Sequence, residues 1–268
     1  MSQYLQNPIT KKWIVFAPQR SKRPDVARGM EPVCPFCNGH ENLTPPEVFR
    51  IGKGEPNKEG WDVRVIPNLY PITKIHELII HSPDHHKNLM DLPPKQVRMI
   101  FEAYRARFLF HKAKGQVFLF HNHGKMGAES LPHPHTQLCV IPFEIPLEAG
   151  RLGDPNNLAF ETGKFMVFCP RTSEWPFETW IAPKRRGFQF DEIDEAELTD
   201  FSSLVPQVLK KLGSKLDGEF AFNFFIYPGG DWYWRLIPRT VNRGGFELGT
   251  GIMVNTLDPK ETIKLLTK

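Results

Sequence analysis

Two histidines alternate with prolines in His133-Pro134-His135-Thr136-Gln137, the segment of the sequence best suited to chemistry. Residues two apart on an extended strand face the same side, so we expect His133, His135 and Gln137 to point one way. Imidazole is a good nucleophile near neutral pH and forms a phosphoramidate that a second phosphate can attack. The spacing fits a metal-binding or merely buried histidine pair equally well, so it leaves catalysis and metal binding both open.

Glycines at positions 124 and 127 precede this segment. Glycine lets backbone N–H groups approach an anion closely, so the loop before the histidine strand is a candidate phosphate site.

Cys34-Pro35-Phe36-Cys37 has the spacing of half a zinc site. Because the chain contains no second Cys-x-x-Cys, any remaining ligands must be histidines, and the candidates are His81, His85, His86 and one histidine of the 133/135 pair. A redox dithiol or two unrelated thiols are the alternatives. Cys139 and Cys169 lie in apolar stretches, where we expect them to pack.

Composition limits the class of protein. The chain has 268 residues, 40% of them hydrophobic and 24% charged, which suits one large domain or two small ones. A net charge of +4 suits an anionic small molecule and is too small to indicate nucleic acid. No apolar run reaches the roughly 18 residues of a membrane span, and the N-terminus lacks the apolar core of a signal peptide. We therefore expect a cytoplasmic protein without a membrane partner.

Apolar periodicity predicts the elements that position these residues. Strands are expected at 13–16, 63–66, 77–81, 117–120 and 137–141, with a helix between 94 and 114. The same order returns in the second half, as strands at 177–183, 220–227 and 236–238 and a helix at 195–212. The sequence thus predicts an α+β fold of two halves related by internal duplication, each an antiparallel sheet with packed helices. The first half, 1–150, holds the chemistry, and the second, 151–268, is degenerate and serves sugar binding or dimer contacts.

The pattern resembles the galactose-1-phosphate uridylyltransferase family, the transferase branch of the histidine-triad superfamily. The motifs that carry the resemblance are Asn7-Pro8, Ala17-Pro18-Gln19-Arg20 with Lys22-Arg23-Pro24, Cys34-Pro35-Phe36-Cys37, Ser82-Pro83-Asp84-His85, the segment 122–137, and Trp175-Pro176-Phe177-Glu178. They cover nearly the whole chain.

The resemblance assigns roles to individual residues. His135 becomes the nucleophile of a nucleotidyl-histidine intermediate, and Gln137 stands where hydrolytic relatives have a third histidine, which favours transfer over hydrolysis. A structural zinc would be held by Cys34, Cys37, His85 and His133. Substrate-binding roles fall on a further set of residues: Arg20, Asn68, Asn122, Gly127, Ser130, Phe246 and Glu247.

The implied reaction moves a nucleoside monophosphate, with UMP favoured, between a nucleotide sugar and a hexose 1-phosphate, as in galactose metabolism. An ADP-glucose or dinucleoside polyphosphate phosphorylase that uses inorganic phosphate is the alternative enzyme. A non-catalytic nucleotide-binding sensor is the alternative of another class, although such a sensor has no use for a nucleophile.

The C-terminal half departs from the uridylyltransferase pattern. The last histidine of the chain is His135, so the second metal site of those enzymes is absent in its usual form. The segment 244–251 is more similar to that of compact relatives, including ADP-glucose phosphorylases. Phe246 and Glu247 are expected either to touch the sugar across a homodimer interface or to form a turn followed by a core strand. Trp232, Tyr233 and Trp234 are expected to pack rather than to form a binding surface.

Overall fold

A computed structural model of the protein describes residues 3–22, 33–216 and 218–268. Arg23 and Pro24 of the N-terminal motif lie outside these ranges. The chain forms a large antiparallel sheet, a separate two-stranded hairpin and few helices, which confirms the predicted α+β class. The strands are β1 (Gln3–Gln6), β2 (Trp13–Phe16), β3 (Phe49–Gly52), β4 (Trp61–Pro67), β5 (His76–Ile80), β6 (Gln116–His123), β7 (His135–Ile141), β8 (Leu158–Glu161), β9 (Phe165–Phe168), β10 (Thr179–Pro183), β11 (Phe222–Ile226) and β12 (Trp234–Pro238). The helices are α1 (Pro94–His111), α2 (Glu195–Gly213), α3 (Gly245–Thr250) and α4 (Pro259–Leu266).

Within the described residues, ten strands join in one sheet in the order β3-β4-β5-β7-β6-β11-β12-β10-β9-β8, while β1 and β2 pair with each other. The two halves of the sheet have the same strand order. From one edge inward the order is β3, β4, β5, β7, β6, and from the other edge it is β8, β9, β10, β12, β11. In each half the last two strands form the pair that follows a long helix, α1 or α2. The two halves meet where β6 pairs with β11. The strand order is therefore the same in both halves, whereas their origin by internal duplication stays a prediction.

Helices α1, α2 and α4 pack on one face of the sheet. Strand β6 alternates buried and half-buried residues along its whole length, and its buried side chains include Val117, Leu119 and His121. This face and the buried sides of α1 and α2 form the main hydrophobic core. Capping by Asp194, whose carboxylate accepts from the Glu197 N–H, marks the start of α2. Over the parts of the chain that the structure describes, none of the helices combines the length and apolar character that crossing a lipid bilayer requires.

The opposite face of the sheet carries a smaller core that supports the cysteine segment. Phe36, Trp61, Ile66, Leu78 and Ile80 pack together there, with Cys34 and Leu131 at the margin. Because Leu78 pairs with Gln137 and Ile80 with His135, this small core lies directly beside the predicted site.

Candidate active site and metal centre

His135 is the first residue of β7, a strand held between β5 and β6 near the middle of the first half of the sheet. Its side chain is buried, and its Nδ1–H donates to the His133 carbonyl oxygen at 2.9 Å. With the proton on Nδ1, the Nε2 atom carries the lone pair that a nucleophile needs. The backbone of His133 therefore selects the His135 tautomer that carries its proton on Nδ1.

His135 and Gln137 both line a cavity of about 280 Å³. Most of its wall is apolar, from Val33, Pro35, Phe36, Leu43, Pro45, Ile66, Pro67, Leu69, Leu78 and Leu131, and the polar residues Asn68 and Ser130 also line it. A mostly apolar concave site with a few convergent polar groups suits a planar base joined to a polar, charged moiety. Asn68, Ser130, His135 and Gln137 thus line one cavity, and their catalytic and substrate-binding roles stay a prediction.

A layer of buried histidines supports the strand from the helix face. The Nδ1–H of His121 donates to the His135 carbonyl oxygen at 2.9 Å. His81 lies with its Nε2 2.9 Å from both the Tyr104 hydroxyl and the Thr136 Oγ1. Burial lowers the pKa of both histidines well below the usual value, so both are neutral near pH 7. His121 thus supports the His135 backbone, and His81 supports the side chain of the neighbouring Thr136.

Cys34, Cys37, His85 and His133 place their four donor atoms within 4.8 Å of one another. The Cys37 sulfur lies 3.2 Å from His85 Nδ1, and the His133 Nδ1 lies 3.8 Å from both sulfurs. In a tetrahedral zinc site, metal–sulfur and metal–nitrogen bonds of about 2.3 and 2.0 Å put neighbouring donors about 3.5 Å apart. The described residues thus bring together the four ligands that the resemblance implied.

The protonation of these side chains also fits a metal. The Nε2–H of His133 donates to the Ser82 carbonyl oxygen at 2.8 Å, which directs the Nδ1 lone pair toward the sulfurs. Burial raises the pKa of the Cys34 thiol to about 11 and lowers the pKa of His133 to about 4. A neutral imidazole is ready to bind, and a cation would supply the charge that a thiolate needs in this setting. Two sulfurs and two imidazoles favour zinc over a hard cation.

Two histidines that the spacing left open as ligands lie elsewhere. His81 is fully buried on the helix face, as described above. His86 packs edge to face against the His85 ring, with centroids 4.7 Å apart, and is not part of the four-residue cluster. Cys139 and Cys169 are both buried free thiols, as the apolar sequence around them predicted.

Three further substrate-binding candidates, Arg20, Asn122 and Gly127, are not among the residues that line the cavity. Arg20 donates to the carbonyl oxygen of Tyr70, a wall residue, at 2.8 Å. Asn122 and Gly127 are joined by Asn223 of β11, whose amide nitrogen is 2.9 Å from the Asn122 Oδ1 and 2.7 Å from the Gly127 carbonyl oxygen. A Cβ on Gly127 would lie only 2.8 Å from the Phe222 carbonyl oxygen, so close packing on β11 requires glycine there.

Phe246 and Glu247 lie on α3 and are not among the residues that line the cavity. The alternative expectation of a turn and core strand at 244–251 is wrong: the segment is a short helix without a buried residue. The Glu247 carboxylate turns back to accept from the Gly244 N–H at 2.9 Å, a local cap that outweighs the weak strand preference of this glycine-rich segment. Trp232, Tyr233 and Trp234 are fully buried, as predicted.

Besides His121, sequence reasoning missed His76 and Asn223, whose side chains also contact predicted site residues. His76, at the start of β5, lies with its Nε2 3.0 Å from the Gln137 Oε1. Asn223 reaches Asn122 from the other half of the sheet. The period of two from Leu78 back to His76 was the available sequence signal for His76. The contact of Asn223 depends on how the two halves of the sheet join.

The sheet and the site together define an α+β protein with a buried histidine and amide at an apolar cavity, beside a Cys₂His₂ cluster. Residues 74–142 match the family model of the N-terminal domain of galactose-1-phosphate uridyl transferase. The predicted resemblance to the galactose-1-phosphate uridylyltransferase family is thereby confirmed.

Individual relatives extend this likeness over most of the chain. An ADP-glucose phosphorylase from Arabidopsis thaliana is 28% identical, covering 97% of this chain and 91% of its own. A galactose-1-phosphate uridylyltransferase from Thermotoga maritima is 26% identical, covering 85% of this chain and 80% of its own. The crystal structure of the Arabidopsis ADP-glucose phosphorylase with bound ADP-glucose has a TM-score of 0.79 at 26% identity, covering 100% of this chain and 98% of that one.

Proposed function

We propose that this protein is a nucleotidyltransferase that takes a nucleoside monophosphate from a nucleotide sugar onto His135 and passes it to a phosphate acceptor. The observation that carries the proposal is the His135 ring, whose Nδ1–H is bound to the His133 carbonyl oxygen and whose other nitrogen belongs to a side chain lining an apolar cavity. The similarity to ADP-glucose phosphorylase and to uridylyltransferases supports the same reaction class.

In the first half-reaction, His135 Nε2 attacks the α-phosphorus of the nucleotide sugar. A P–N bond forms, the P–O bond to the β-phosphate breaks, and a sugar 1-phosphate leaves with the electron pair. In the second, an acceptor phosphate oxygen attacks the same phosphorus and the P–N bond breaks. Ser130, the Gln137 amide and the backbone near Gly127 would bind the phosphate oxygens as negative charge develops.

Zinc, when bound to Cys34, Cys37, His85 and His133, would supply a rigid cross-link between the cysteine segment, the loop after β5 and the start of β7. Phe36, between the two cysteines, packs edge to face on the His135 ring with centroids 5.2 Å apart. The metal ligands therefore hold the wall against which the nucleophile lies.

Inorganic phosphate as the acceptor and ADP-glucose as the donor stand first among the specific reactions. The ADP-glucose phosphorylase aligns with 97% of this chain, the Thermotoga uridylyltransferase with 85%. Uridylyl transfer to a hexose 1-phosphate, which the motifs favoured, stays the second candidate, supported by the uridylyltransferase relatives.

The test is the intact mass of the protein after brief mixing with ADP-glucose or with UDP-glucose. We expect an adenylyl adduct that inorganic phosphate removes, whereas a uridylyl adduct removed by galactose 1-phosphate would favour the second candidate. His135→Ala should form no adduct yet keep its metal, and His86→Ala, which removes an exposed histidine, should react normally. An adduct that persists in His135→Ala, or none in the wild type with either donor, would contradict the proposal.

A further inference from the structure

The loop that enters β5 holds the ring of His76 next to Gln137. His76 is buried, and it lies on the same face of the sheet as His135 and Gln137, because β5 residues 76, 78 and 80 pair with β7 residues 139, 137 and 135. Its two ring nitrogens face different partners: Nδ1 faces the backbone of Ile72, and Nε2 faces the Gln137 side chain. The loop and the strand thus fix both ends of one imidazole.

The backbone determines which nitrogen of His76 carries the proton. The Ile72 N–H donates to His76 Nδ1 at 3.0 Å. A backbone amide nitrogen cannot accept a hydrogen bond, so Nδ1 must present its lone pair and the neutral ring must carry its proton on Nε2. A doubly protonated ring would set two N–H groups against each other and lose this bond.

The proton on Nε2 in turn fixes the Gln137 amide. His76 Nε2 lies 3.0 Å from Gln137 Oε1, so the ring donates to the amide oxygen. The Asn68 amide nitrogen is also near, 3.2 Å from the same Nε2. The Asn68 Oδ1 accepts from the Tyr70 N–H at 2.8 Å, so Asn68 turns its NH₂ group, a donor, toward His76. Of these two amides, Gln137 is therefore the one whose oxygen accepts the His76 proton. If the Gln137 amide flipped, its NH₂ group would face an N–H.

We propose that His76 is a positioning residue that holds Gln137 with its oxygen turned away and its NH₂ group available to a phosphate bound next to His135. A glutamine amide can present either end to a ligand, and only the NH₂ end stabilises an anionic oxygen. The backbone of Ile72 thus sets the His76 tautomer, His76 sets the amide, and the amide meets the reacting phosphate. This inference rests on the proposed nucleotidyl transfer for its consequence in catalysis.

The test compares two substitutions at His76 in two backgrounds. His76→Leu removes the donor, whereas His76→Gln keeps an N–H donor near the Nε2 position. The readout is the single-turnover rate of adduct formation at saturating donor, with the donor Kd and the Tm measured alongside. We expect His76→Leu to slow the reaction about 100-fold, the scale of losing one transition-state hydrogen-bond donor. His76→Gln should recover most of that loss.

The Gln137→Ala background separates positioning from structural support. If His76 acts through the Gln137 amide, His76→Leu should slow Gln137→Ala no further, because the group that it orients is gone. Equal slowing in both backgrounds, or no recovery with His76→Gln at an unchanged Tm, would overturn the proposal.

Nitrogen shifts of histidine-labelled protein give a readout that needs no turnover. We expect a neutral His76 with the proton on Nε2 and an unprotonated Nδ1. The opposite tautomer would overturn the positioning role even if the wild type forms the adduct. Absence of an adduct in a wild type with the expected tautomer would instead overturn the proposed function, so the two failures are distinguishable.

Discussion

A buried ion pair beneath β5 offers the clearest test of how the site-bearing sheet is held. Arg107 of α1 binds the Glu77 carboxylate through two nitrogens at 2.9 and 2.6 Å, and His111 Nε2 lies 2.8 Å from the same carboxylate. All three side chains are less than about a tenth exposed. Arg107→Met keeps much of the side-chain volume but removes one of the two partners of Glu77, so that His111 alone of this pair remains.

The expected cost follows from this burial. Removing one partner of a buried charge pair destabilises a protein by about 3–5 kcal/mol, because the other charge is left uncompensated. For a chain of this size that corresponds to a fall in Tm of about 10 °C. Arg98→Met on the same helix is the matched control: Arg98 pairs with Glu102 and Glu195 in a much more exposed setting, and its loss should cost under about 1 kcal/mol.

Urea denaturation measures the stability of both variants, and its dependence on pH provides a second signature. Burial alone would raise the pKa of Glu77, but hydrogen bonds from His111 and Arg107 outweigh it and hold the pKa below its usual 4.5. A lowered folded-state pKa stabilises the protein above pH 4.5, and this contribution is lost as the pH falls through the folded value. The gap between wild type and Arg107→Met should therefore narrow below pH 4.5. Equal costs for Arg107→Met and Arg98→Met, or a gap independent of pH, would refute this reasoning.

Two further substitutions test the metal centre and the hairpin that carries His135. Cys34→Ser should lose the metal and several kcal/mol of stability together, while Cys169→Ser, a buried thiol outside the cluster, should keep the metal; metal analysis and thermal melts decide. Gly115, just before β6, has a φ of +152°, and a Cβ there would lie 2.5 Å from the Ile141 carbonyl oxygen, so Gly115→Ala should cost about 2 kcal/mol or more. Gly163→Ala, whose Cβ would meet nothing within 4 Å, should be nearly neutral, and a similar loss in both would contradict this account.

The long elements follow from apolar periodicity because each buries a continuous stripe or face. The helix predicted at 94–114 is α1 and the short 3₁₀ turn after it, and the helix predicted at 195–212 is α2. The outer strands β3 and β8 escaped prediction because edge strands of four residues, with little or no fully buried side chain, carry no clear alternation. Helix α3 escaped because its cap is local and its residues are exposed.

In the candidate site, too, the residues with a local sequence pattern could be predicted, whereas those that depend on strand pairing could not. The Cys-x-x-Cys spacing alone predicts Cys34 and Cys37 as metal ligands. The resemblance adds His85 and His133, which the structure places beside them. The roles of His76 and Asn223 depend on which strands lie side by side. The period of two places His76 on the same face of β5 as Leu78, but the strand register that brings it to Gln137 cannot be read from that period. The junction of the two halves brings Asn223 to Asn122, and this contact has no sequence signature.

Each reactive group at the centre of the site is fixed by a different part of the chain. The His133 carbonyl sets the proton of His135, and the His121 ring holds the His135 carbonyl from the helix face. The loop before β5 sets the amide of Gln137 through His76. Nucleophilic attack on phosphorus requires imidazole and amide in one orientation each, and a rotating ring or flipping amide would spend part of its time in the wrong one. Strands β5 and β6 and the segment just before β7 each supply one of these restraints. Under the proposed mechanism, the chemistry therefore takes place where these three strands pair rather than on an exposed loop.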